Sequence, residues 1–98
     1  MFTIALEKKK TFNLKNEGGT CIVTVTYKVP TALDVDTFGK DIKDSDIFKK
    51  FVINIESDLE QLNGIMPSNF CALPLYYVVS QTARDILRSA YFIEEEKN

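Results

Sequence analysis

Histidine is absent from all 98 residues. That removes the usual general base at neutral pH, the Ser–His and Cys–His nucleophile pairs and the commonest transition-metal ligand. Only two cysteines occur, Cys21 and Cys71. Their wide spacing matches neither a disulfide framework nor close-spaced metal ligands, so free, buried thiols are expected. Glycine is scarce, and Gly18-Gly19 lacks the Gly-Lys-Ser/Thr that would complete a phosphate loop. No apolar run approaches the roughly 20 residues needed to cross a bilayer. Met1 to Glu7 has no positive segment before an apolar one and no cleavage signature. The expectation is a cytoplasmic protein without membrane contact.

Basic excess is lacking too. The net charge is −2, with five Lys against two Glu in residues 1–30, four Lys against eight acids in 31–66, and three basic against four acidic residues in 67–98. This field is too weak for a nucleic-acid site, which clusters Lys and Arg on one face. The acids at 34/36, 44/46 and 56/58/60 lack the alternating-ligand loop with its central Gly that marks a calcium site, and helix caps or a solvated face explain them. These absences point to a protein that is not an enzyme and needs no metal or cofactor.

What is present is a chain of one domain, residues 1–98, with 45% hydrophobic residues and 11% aromatics. Its organising stretch is Thr20–Val29. Cys21, Val23, Val25, Tyr27 and Val29 alternate with Thr20, Ile22, Thr24, Thr26 and Lys28, the two-residue period of a half-buried strand built from stiff β-branched residues. Phe2, Ile4 and Leu6 alternate likewise and predict an opening strand over 2–6, interrupted by Lys8-Lys9-Lys10. Three adjacent Lys can bind an anion, but solvated charges protecting a sheet edge are the simpler reading. Phe12 and Leu14 resume the alternation, and Asn16-Glu17-Gly18-Gly19 supplies the turn of a hairpin pairing 11–15 with 20–29.

Pro30 ends the strand. Thr31 with Asp34 reads as a capping box opening a helix with Ala32, Val35, Phe38 and Ile42 inward. Asp44 or Ser45 caps a second, in which Ile47, Phe48, Phe51, Val52, Ile55, Leu59 and Leu62 draw an apolar stripe until Asn63-Gly64. Phe51–Ile55 also alternates like a strand; the helix reading is preferred because the stripe continues to Leu62. Ser68 caps a short turn through 69–73. Pro74 opens a last helix with Val79, Ala83, Ile86, Leu87, Ala90 and Ile93 on one face, and the acidic tail frays. The fold class is α+β: a small antiparallel sheet from residues 2–29 packed against helices drawn from 31–95.

Leu73 to Val79 carries no charge, and its aromatics suit either the core or an interface; core packing is the preferred reading. Ile22, Tyr76, Tyr77, Tyr91 and Phe92 are the candidate partner-binding residues. Because the strand at 20–29 outruns its hairpin partner, part of its edge is expected to be unpaired, and a homo-oligomer is expected to form through sheet edges or the last helix.

The order of parts also resembles a known family. A short first strand, a hairpin ending in Tyr27-Lys28 before Pro30-Thr31, a helix with an acidic start, the segment Phe51 to Glu56, and a final helix ending Ile86-Leu87-Arg88-Ser89-Ala90-Tyr91-Phe92 look like the small tail assembly chaperones of long-tailed phages. The resemblance implies a β-hairpin region packed on helices. It also implies a client, the tail tube or tape-measure protein, bound during assembly in the host cytoplasm by a chaperone absent from the finished virion. The residues alone leave a second reading, a small acidic inhibitor or regulatory protein whose acidic middle binds a basic surface on a partner.

Overall fold

The computed structural model describes residues 4–90. Three strands, β1 (Glu7–Asn16), β2 (Gly19–Lys28) and β3 (Val52–Ser57), form one antiparallel sheet in the order β1-β2-β3. Four helices complete the fold: α1 (Ala32–Asp36), α2 (Asp44–Phe51), α3 (Pro67–Phe70) and α4 (Tyr76–Ser89). The α+β architecture is as expected from the sequence.

The hairpin turns where its chemistry demands. The Asn16 side-chain oxygen accepts the Gly18 amide at 2.7 Å, and Gly19 adopts φ 129°, a conformation that only glycine enters cheaply. Register then places Phe12 opposite Val23 and Leu14 opposite Cys21. Phe12, Val23, Val25, Tyr27, Val52 and Ile55 of the sheet join Ile47, Phe48, Phe51, Phe70, Val78, Val79, Ala83 and Ile86 of the helices in one core. Each Val, Ile or Phe side chain among them is worth about 1.5–3 kcal/mol on burial. Ring pairs link the layers of helices: Phe48 stacks on Phe70 at 5.4 Å between centroids, and Phe38 meets Phe51 edge-on at 5.8 Å.

Four expectations need correction. The long helix over 45–62 is short, since α2 ends at Phe51 and residues 52–57 are β3. The alternation of β-branched residues prevails because β2 offers them a ladder partner. A register shift at Thr26/Tyr27, where Asn54 faces Thr26 and Val52 faces Tyr27, lets Val52 and Ile55 both point into the core although an odd spacing would otherwise put them on opposite faces. Secondly, Lys8–Lys10 do not interrupt a strand but lie inside β1, and residues 4–6 stand before it. The Val29 amide, donating to the Leu6 carbonyl at 2.9 Å, continues the ladder there. Phe2 lies outside the described residues.

Thirdly, β2 is the central strand, so its edges are not free. At the end of β3, the Asp58 carboxylate accepts the Ile22 amide at 2.9 Å and the Ser57 hydroxyl donates to the Ile22 carbonyl at 2.8 Å. Fourthly, the helix caps shift. Lys43 precedes α2, Met66 precedes α3, and α4 starts at Tyr76 after Leu75. Thr31 and Asp34 do form the reciprocal capping box. On α4, Val79, Ala83 and Ile86 face inward as the periodicity requires; Ile93 and the acidic tail lie outside the described residues.

Candidate protein-binding surface

The first turn of α4 carries the most exposed aromatics among the described residues, with Tyr76 71% and Tyr77 64% accessible. This corrects the expectation that the uncharged stretch is core. The helical twist sends Val78 and Val79 inward, and Tyr76 and Tyr77, two positions earlier, emerge on the other side. Leu73, in the turn between α3 and α4, is exposed beside them in sequence.

The two tyrosines are anchored to different elements. The Tyr76 hydroxyl donates to the Asp44 carboxylate at 3.2 Å, tying the start of α4 to the start of α2. A shallow, open depression lies between them, lined by Ile42, Lys43, Asp44, Ser45 and Tyr76. The Tyr77 ring meets Phe12 of β1 edge-on, with centroids 6.1 Å apart and planes at 80°. Both rings are thus held at one side while their outer faces remain open to solvent.

Further along, Asp85 binds Lys10 at 2.9 Å and Arg88 at 3.6 Å, and the Lys10 ammonium also lies 5.5 Å from the Phe12 ring centroid. Lys10 is therefore engaged between sheet and helix. Lys9, the next residue, faces the other side of the strand, so the three lysines do not converge as an anion site.

Of the other candidates, Ile22 is 45% exposed, but on the sheet face opposite the helices, away from the tyrosines. Tyr91 and Phe92 lie outside the described residues. Phe12 and Asp44, which position the two tyrosines, escaped sequence reasoning because an alternating Phe reads as core and an acid before a helix reads as a cap. Both cysteines are free and half-buried; burial pushes the Cys71 thiol up, which disfavours the reactive thiolate. Among the described residues, no group of three or more Cys, Asp or Glu could hold a metal ion, and no helix is long and apolar enough to cross a membrane. No protein-family model, curated protein or solved structure matches the chain.

Proposed function

We propose that this protein is an assembly chaperone of the phage-tail type, which captures an apolar segment of a structural tail protein, the tube or the tape measure, in the host cytoplasm and does no chemistry itself. The observation that carries the reading is the pair of exposed rings, Tyr76 and Tyr77, braced from behind by Asp44 and Phe12. Braced tyrosines offer contact area at low entropic cost and are frequent binding hot spots. The outline that resembles the tail chaperones supports the same reading, and we propose with it that the chain self-associates, which a small core favours.

The acidic-inhibitor reading draws less support. Asp34 closes the α1 capping box, Asp44 holds Tyr76, Asp46 pairs with Lys49, Glu56 accepts from Asn54, and Asp58 accepts from Ile22. Five of the eight acids in 31–66 thus have intramolecular partners.

The test is calorimetry against segments of tape-measure and tube proteins of long-tailed phages. Tyr76→Ser and Tyr77→Ser should each weaken binding about tenfold or more, with little dependence on salt. Binding that ignores both substitutions, or that collapses between low and high ionic strength, refutes apolar capture and favours the acidic reading.

A further inference from the structure

We infer that two copies of this chain pair through the outer edge of β1, antiparallel, with Thr11 facing its own copy across a two-fold axis. This rests on the self-association proposed above and specifies where it occurs. β1 is a ten-residue edge strand, and among the described residues no strand pairs with its outer side. The α4 helix meets β1 through Lys10 and Phe12, from the core face, and so does not occupy the plane of the sheet.

Which backbone groups are free follows from the ladder. Asn16 faces Gly19 across the two-residue turn and the Val29 amide donates to Leu6, so even-numbered β1 residues exchange hydrogen bonds with β2. Glu7, Lys9, Thr11, Asn13 and Lys15 therefore direct their amides and carbonyls outward. An antiparallel copy must match odd residues with odd ones, so the numbers of facing residues add up to an even sum.

Charge and the length of the paired segment together select among these registers. With Lys10 facing its copy, two ammonium groups oppose each other, and with Phe12 facing its copy, Lys9 opposes Lys15 twice. With Thr11 on the axis, Glu7 faces Lys15 at both ends, Lys9 faces Asn13, Lys8 faces Leu14 and Lys10 faces Phe12. No like charges are directly opposed, and residues 7–15 of each chain are paired. The exposed ring of Tyr77, resting on Phe12 next to the axis, extends the contact on the helix side. Dimer and client then compete for Tyr77.

The test is charge reversal with sedimentation. Within one chain Glu7 and Lys15 lie about 27 Å apart along the strand, too far to interact. Glu7→Lys and Lys15→Glu should each raise the dimer dissociation constant about tenfold, whereas the double variant restores it to within about twofold. Hydrogen exchange should find the Lys9, Thr11 and Asn13 amides protected in the dimer alone. A wild-type protein that dimerises without this rescue, or with those amides unprotected, overturns the β1 interface but leaves self-association standing. A wild-type protein that is monomeric at high micromolar concentration overturns both.

Discussion

The Asp58 carboxylate holds the Ile22 amide at 2.9 Å, closing the side of β2 that β3 is too short to cover. Ser57 completes the closure by donating to the Ile22 carbonyl, while its oxygen also accepts the Leu59 amide at 3.0 Å. A turn of side chains thereby substitutes for one more rung of the ladder and hides an edge that would otherwise invite pairing.

Asp58→Ala should lower stability by about 1 kcal/mol, the usual worth of such a hydrogen bond, seen as an earlier midpoint in urea unfolding. Asp58→Asn keeps an acceptor oxygen and should lose less. Equal losses from the two would mean that charge, and not the hydrogen bond to Ile22, carries the effect.

Thr82 is fully buried on α4 and its hydroxyl has no hydrogen-bond partner among the described residues. A buried hydroxyl without a partner costs free energy, so Thr82→Val, which keeps the shape, should stabilise the fold by about 1 kcal/mol. Thermal unfolding should shift upward by about 4–8 °C for a domain of this size. A fall in melting temperature would show that the hydroxyl is satisfied in solution.

The Asp34 carboxyl is held below its ordinary value, chiefly because it accepts the Thr31 amide at 2.9 Å. A depressed value in the folded state means that the contribution is complete above the unfolded value, about 3.9, and is lost as pH falls through the lower folded one. Asp34→Asn should loosen α1 at neutral pH, and its difference from the wild type should vanish in acid. Exchange of the Thr31 amide across that range is the measurement, and a difference that persists unchanged in acid contradicts the assignment.

The hairpin was legible from residues 11–29 because everything that specifies it is local. Strict alternation, β-branched side chains and a glycine turn agree with one another, and the core positions Val23, Val25 and Tyr27 follow from the period alone. The Thr31–Asp34 capping box was legible for the same reason. The inward face of α4 was legible from its spacing, though its start was not.

Tertiary structure decided the rest. Phe51 to Ile55 satisfies both periods, and the choice fell to the strand because β2, far away in sequence, offered backbone partners and a bulge turned both Val52 and Ile55 inward. That choice placed β2 in the centre and left β1 at an edge with no strand on its outer side among the described residues, which no local pattern reveals. Tyr76 and Tyr77 are exposed for a similar reason. An uncharged stretch states only that it is apolar, and the angle at which α4 docks on the sheet determines which of its residues meet the core and which meet water.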